Sequence, residues 1–309
     1  MRLSKNAAYG LMGLAAMMWA TSGTFTVLAI DEGADVMQVT VFTTVISAAV
    51  LIPLIGILDP KSLFIRREDF LPFLAFSLIT GTFFALAWYY CVDMTSVATA
   101  VILLYAYPSI VTVASIFLLG EKLSPQKALA LPLTFIGAVL VAGAQEFDRG
   151  LSLNLLGIAL GVYTAIGAAV YYLWGKKFLE KYSANTVILY MTTLSIPGLV
   201  LIANPFRLFS TAIPGMAWIY IAALGLFPGT IGFVVSMVAL NHIEASKASI
   251  VASIEPVAAV FIALVVLSQQ VSALQMIGVG LVFAGVLLLR TTIRSRKDKP
   301  GQTPGQRQA

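Results

Sequence analysis

Leu104-Tyr105-Ala106-Tyr107-Pro108 and Ala252-Ser253-Ile254-Glu255-Pro256 are the two stretches that decide how this chain folds. Each sits near the middle of an apolar run, 96–119 for the first and 245–267 for the second. Proline carries no N–H, so Pro108 strands the carbonyl of Leu104 and Pro256 strands that of Ala252. Hydrocarbon cannot satisfy such a group, which must face protein or a water-filled cavity. Interrupted apolar helices at matching depths in the two halves of a chain point to the substrate site of a transporter.

Composition agrees with a membrane setting. Hydrophobic residues make up 59% of the chain and charged ones 11%, where a soluble domain carries about 25% charged residues. The apolar runs are about 20 residues long, the length that crosses a bilayer as helix. A barrel would show alternating segments of about 10 residues instead. Ten spans are expected, near 7–29, 37–57, 70–91, 96–119, 125–143, 153–175, 185–203, 215–238, 245–267 and 272–290. The first is too long for the core of a signal peptide. The basic segment 291–309 reads as a disordered cytoplasmic tail. Lone Cys91 allows no internal disulfide and no cysteine metal cluster, and neither metal nor cofactor is expected.

The positive charges sort by side. With a cytoplasmic N-terminus, the inner side receives Arg2, Lys5, Lys61, Arg66, Arg67, Lys122, Lys127, Lys176, Lys177, Lys181 and the six cations of the C-terminal end. Arg149, Arg207 and Lys247 fall outside, and His242 is expected at an outer helix end. Sixteen against three accounts for all 19 Lys and Arg residues. That bias places both termini in the cytoplasm. It also explains the net positive charge without nucleic acid as a partner.

The chain repeats itself. An offset of 148 pairs Pro108 with Pro256, Gly81 with Gly229, Thr82 with Thr230, Ser124 with Ser272 and Gly137 with Gly285. Near the start the offset is 144, pairing Gly13 with Gly157 and setting Trp19 opposite Tyr163. Five spans per half is an odd number, so the second copy (146–290) must lie upside down relative to the first (1–145). The segments Phe117-Leu-Leu-Gly-Glu-Lys-Leu-Ser124-Pro-Gln and Glu255-Pro256-Val257 resemble the two repeats of EamA-type proteins of the drug/metabolite transporter superfamily. The first copy carries the usual acidic helix-end residue, Glu121, where the second has Gln269-Gln270. The resemblance implies a ten-helix exporter of small metabolites in a prokaryotic cytoplasmic membrane, with a central cavity lined by both repeats.

Glu255 is the one charged side chain well inside an expected span. A charge there costs about 2.5–3.5 kcal/mol on insertion scales. Two roles are open: it faces the cavity, carrying a proton or meeting a substrate amine, or it stays protonated and hydrogen-bonds a freed carbonyl. The repeat offset sets Tyr107 opposite it, with Ala252 on the same wall. Trp19, Thr21 and Tyr163 are further candidates for the cavity lining, while Pro108 and Pro256 serve as hinges. Packing alone is the bland alternative for Tyr107, and a backbone bond is the expected use of the Thr21 hydroxyl. Gly157-x-x-x-Gly161 and Gly225-x-x-x-Gly229 read as close helix contacts.

The function expected is secondary transport of a small molecule by alternating access, as monomer or homodimer, with protons as a candidate coupling ion. An organic-phosphate or nucleotide-sugar exchanger would need a buried cation to meet phosphate, and no expected span has one at mid-depth. A non-transporting membrane subunit is a further alternative. An intramembrane enzyme would need a nucleophile–base pair or metal ligands, which these spans lack.

Overall fold

The computed structural model describes residues 3–95, 97–143, 154–209, 211–266 and 272–295. Arg149, Gln269-Gln270 and the tail from 296 onward lie outside the described residues. Among those described, the chain is helical and has no strand.

Eight helices are long and apolar enough to cross a membrane. They are α1 (Lys5–Asp31), α2 (Val36–Leu58), α3 (Arg67–Met94), α4 (Thr99–Leu118), α6 (Leu155–Phe178), α7 (Ala184–Ala203), α8 (Gly215–His242) and α9 (Ala245–Val266). Two more apolar helices, α5 (Pro125–Gly143) and α10 (Ala273–Ser295), pack against each other. The prolines act where expected. Helix α4, taken with the two residues before it, breaks into Val97–Leu104 and Tyr107–Leu118, and α9 into Ala245–Ala252 and Glu255–Val266. Each proline is the second residue of its second piece, where a missing N–H does no harm. The chain tightens to cross each break. In α4 the Ala106 N–H donates to the Leu103 carbonyl at 3.2 Å; in α9 the Ser253 N–H donates to the Ile250 carbonyl at 3.2 Å. Tyr107 and Glu255 therefore hold equivalent places, each the first residue of a half-helix.

A second pair of irregularities follows the same offset. π-Helical turns interrupt α3 at Leu78–Thr82 and α8 at Phe227–Gly232. In α8 the Thr230 hydroxyl donates to the Gly225 carbonyl, five residues back, at 2.7 Å. Such turns are frequent at functional sites.

Contacts between helices repeat across the two halves. A Cβ on Gly81 would lie 2.6 Å from Ser195, and one on Gly229 would lie 2.5 Å from Ser47. Ser47 and Ser195 are themselves 148 apart, so α3 on α7 is copied by α8 on α2. Helices α5 and α10 pack antiparallel: a Cβ on Gly137 would meet the Gly278 carbonyl at 2.7 Å, and one on Gly285 the Ala130 carbonyl at 3.0 Å. This exchange of partners is what two inverted copies produce. Gly157 and Gly161 likewise abut Thr95 and Leu103, and Gly225 abuts Ile46. Gly278→Ala is expected to cost about 1–3 kcal/mol, because the obstructing atom is backbone and the two helices must separate. Thermal unfolding of the purified variant checks it; an unchanged midpoint contradicts the close contact.

The loops sort to two faces. On one, Lys181 pairs with Asp69 at 3.1 Å and Lys127 with Glu244 at 2.7 Å. On the other, Gln38 in α2 donates to the Leu208 carbonyl at 3.0 Å. Lys5, Lys176, His242 and Lys247 line a single cleft on the first face, hereafter the N-terminal face. This corrects the placement of Lys247 and His242 on the outer side. Eight crossings return a chain to the face it started from, so the α8–α9 loop lies with the N-terminus and not opposite it.

Candidate substrate site

Both breaks point into one aromatic cluster. The ring of Tyr107 stacks on that of Tyr172, with centroids 5.5 Å apart and planes 3° from parallel. Tyr172 meets Tyr171 edge-on at 5.2 Å, and Tyr171 meets Trp19 at 6.2 Å and Phe233 at 5.7 Å. On the other side Tyr107 touches Tyr105 at 6.0 Å, and the Tyr105 hydroxyl pairs with the Glu255 carboxyl. A continuous line of rings thus runs from α8 and α1, through α6 and α4, to the carboxyl at the break in α9. Contacts of this kind add about 0.5–1.5 kcal/mol each beyond area burial, so the line is a firm element.

The two walls differ in character. Helix α9 contributes small side chains, with Ala248 and Ala252 fully buried beside the rings. The Tyr107 hydroxyl donates across to the Ser249 carbonyl at 3.4 Å. Glu255 occupies the first position of its half-helix, where unpaired N–H groups and the helix dipole favour an anion. Among the described residues no lysine or arginine forms an ion pair with it. Its polar companion is a phenol, a neutral donor that suits either protonation state.

The cluster also holds a polar atom without a partner. The buried Trp19 Nε1 has no hydrogen-bond partner among the described residues, while the Tyr172 hydroxyl has the Tyr107 phenol beside it. Burying a polar group that way costs about 1–3 kcal/mol, and such a group in a native fold calls for an explanation. A ligand atom that accepts from the indole N–H would supply one.

The expected residues are only partly brought together. Trp19, Tyr107, Ala252 and Glu255 belong to this neighbourhood, and Pro108 and Pro256 shape it. The Thr21 hydroxyl is occupied by the Met18 carbonyl at 2.7 Å. Tyr163 is half-buried on α6 and has no part in the line of rings traced here. Tyr105, Tyr171 and Tyr172 had no assigned place before the structure. Repeat pairing could not find them, because the offset sets Val27 and Leu28 opposite Tyr171 and Tyr172. The adjacency of Tyr105 to the break was the one signal available.

A second polar assembly closes the N-terminal face. Lys127, 1% exposed, reaches Glu121 at 3.1 Å, Glu244 at 2.7 Å and the Lys122 carbonyl at 3.0 Å. Glu121 also caps the first piece of α9, accepting the Ala245 N–H at 2.7 Å and the Ser246 hydroxyl. Lys247 pairs with Glu244 at 3.1 Å. Burial pushes the Glu244 carboxyl up, but the ammonium groups of Lys127 and Lys247 outweigh it and hold the carboxyl below the ordinary carboxylate range. The stability this adds is present above the unfolded-state value and is lost as pH falls through the folded one. Beside this assembly lies a cleft of about 300 Å³ lined by Lys5, Tyr9 and Lys176 among others. Lys176 is engaged there by the carbonyls that end α8, at 2.6 Å to Leu240 and 2.8 Å to Ile243.

Comparison with known proteins follows the same lines. A model described as the EamA-like transporter family matches residues 6–143 and again 155–291. An uncharacterized transporter of Bacillus subtilis, YoaV, is 27% identical over 255 residues, covering 81% of this chain and 85% of its own. An uncharacterized inner membrane transporter of Salmonella typhimurium, YicL, is 21% identical over 294 residues, covering 92% and 95%. A solved structure titled only as the crystal structure of a protein superposes with a TM-score of 0.79 at 19% identity, over 96% of this chain and 100% of that one. At that identity the likeness speaks for the fold alone.

Proposed function

Since the chain belongs to the EamA-like transporter family, we propose that it is a secondary transporter that exports a small metabolite bearing a basic nitrogen. An amino acid or an amphipathic amine fits that description. The observation that carries this reading is Glu255 itself. It is an interior carboxyl with no paired cation among the described residues, set at a helix break and joined through Tyr105 to a line of aromatic rings. A protonated amine would take the missing cation's place, and the flanking tyrosine faces would favour its positive charge. The apolar body of the solute would lie along the rings, as in pockets that combine apolar walls with a few polar groups.

Alternating access would use the two breaks. The pieces of α4 and α9 meet at short, tightened turns, and each half-helix can tilt there without opening a long run of hydrogen bonds. Proton coupling follows if solute and proton compete for Glu255, one leaving as the other arrives. The protein would act in a prokaryotic cytoplasmic membrane with both termini on the inner side. The stoichiometry is monomer or homodimer.

A metabolite screen by thermal shift on the purified chain, followed by flux into liposomes for each hit, tests the reading. Flux without accessory proteins is expected for at least one amine. Stabilising hits confined to phosphates or sugars, with no amine flux, would reject it. Tyr172→Phe refines the test, since it removes a buried hydroxyl whose side-chain partner is the Tyr107 phenol. Stability is expected to change by no more than about 1.5 kcal/mol, the net worth of one hydrogen bond, while affinity for the transported solute falls. A fall in stability with unchanged affinity would give the hydroxyl a packing role only.

A further inference from the structure

The ionic assembly at the N-terminal face has no ionic counterpart in the second repeat. The 148 offset carries Glu121, Lys127, Glu244 and Lys247 onto Gln269, Gln275, Ser96 and Thr99. Every charged member therefore maps to an uncharged residue. Of the four counterparts, Gln275 is described in detail: its side chain donates to the Val141 carbonyl at 3.2 Å. The place is kept and the bridge between repeats is kept, but the charges are not.

Burial is unequal in the same sense. Ser249, Ile250, Val251 and Ala252, which lead from the ionic assembly to the break in α9, are 0–4% exposed. Their counterparts Val101, Ile102, Leu103 and Leu104 are all half-buried. Glu121, from the first repeat, holds the N-terminus of α9, from the second, by its backbone and by Ser246. Lys127 ties that carboxylate to Glu244, the residue just before α9 begins. A half-helix of eight residues then connects the tie to the break that carries Glu255.

From these observations we propose that Glu121, Lys127, Glu244 and Lys247 form a one-sided latch. It shuts the N-terminal face and fixes the half-helix that leads to Glu255, whereas the repeat-equivalent positions of the opposite face carry no charged residue in the sequence. The resting molecule therefore opens more readily at the face away from its N-terminus. Opening the N-terminal face requires Glu121 to release Ala245 and Ser246. Glu121 and Lys127 are positioning residues here, since neither touches the line of rings. The latch stands on the fold and holds whichever solute is carried.

Hydrogen–deuterium exchange on the full chain in lipid nanodiscs tests this. The variant Glu121→Gln with Lys127→Gln gives the first repeat the residues that the second one has. Amide exchange across 243–252 is expected to rise by roughly tenfold, equivalent to about 1.4 kcal/mol, with exchange across 97–104 unchanged. An equal rise in both segments would mark general loosening and overturn the latch, as would no rise at all. Glu244→Gln leaves the Glu121–Lys127 pair in place and serves if the double variant does not fold. It should raise exchange in the same segment by a smaller factor, and a flat result there also overturns the proposal. Lys127→Arg, which keeps the charge, should leave protection in this segment as it is in the unaltered chain.

Discussion

Replacing Glu255 with glutamine is expected to abolish solute movement driven by a pH gradient while sparing exchange of solute for solute. Glutamine matches the size of the carboxyl and can still bond the Tyr105 hydroxyl, so the turn at Ser253–Ile254 has no reason to rearrange. What is lost is the ability to take up and release a proton. A charged carboxylate in a span costs about 2.5–3.5 kcal/mol, and alternating between a proton and an ammonium group keeps that cost covered during the crossing. The neutral amide would bind an amine more weakly, by roughly tenfold or more, the worth of a charge-assisted bond over a neutral one. Vesicle flux with and without an imposed gradient separates the two effects. Unchanged gradient dependence would reject the proton role, while unchanged amine affinity would reject the recognition role. Loss of all flux together with a lowered unfolding midpoint would mean that Glu255 holds the broken helix in shape.

The second large effect concerns Lys127. Lys127→Met is expected to destabilise the protein by about 3–5 kcal/mol, the penalty for leaving a buried charge without its partner. The penalty falls mainly on Glu121, whose side chain is 8% exposed; Glu244 is 44% exposed and recovers by hydration and by Lys247. Its share belongs with surface pairs, about 0–1 kcal/mol. The comparison that decides is with a triple variant, Glu121→Gln, Lys127→Met and Glu244→Gln. Removing all three charges should destabilise less than removing the one cation, because neighbours in one network are not additive. A triple variant weaker than the single would mean that the cluster stabilises by net attraction and not by avoiding an orphaned charge. Denaturant or thermal unfolding in one detergent measures both.

Much of the fold was legible before any coordinates. Pro108 and Pro256 placed the two breaks within a residue or two, because the loss of an N–H is a local fact. The 148 offset predicted that Tyr107 and Glu255 would be equivalent, and the structure starts a half-helix at each. The candidate site was less legible. The sequence singled out Trp19, Tyr107 and Glu255, which the fold sets along one line of rings, yet Glu255 meets Tyr105 and not Tyr107 as its polar companion. Tyr171 and Tyr172 joined the line of rings without a repeat partner to announce them. The ionic role of Glu121 was visible only as a difference between copies, and its partners Ala245 and Ser246 lie more than a hundred residues away.

What the sequence alone determined was therefore the membrane class, the breaks, the doubling of the chain and the charge bias. These depend on bilayer thickness, on proline chemistry and on composition, and each acts within a short window. The tertiary structure decided which rings face Glu255, on which face Lys247 and His242 lie, and what Glu121 holds. Helices that are apolar all round carry no stripe to say which side turns inward. Their rotation is set by close contacts such as Gly81 on Ser195 and Gly137 on Gly278, which exist only once the two copies have packed.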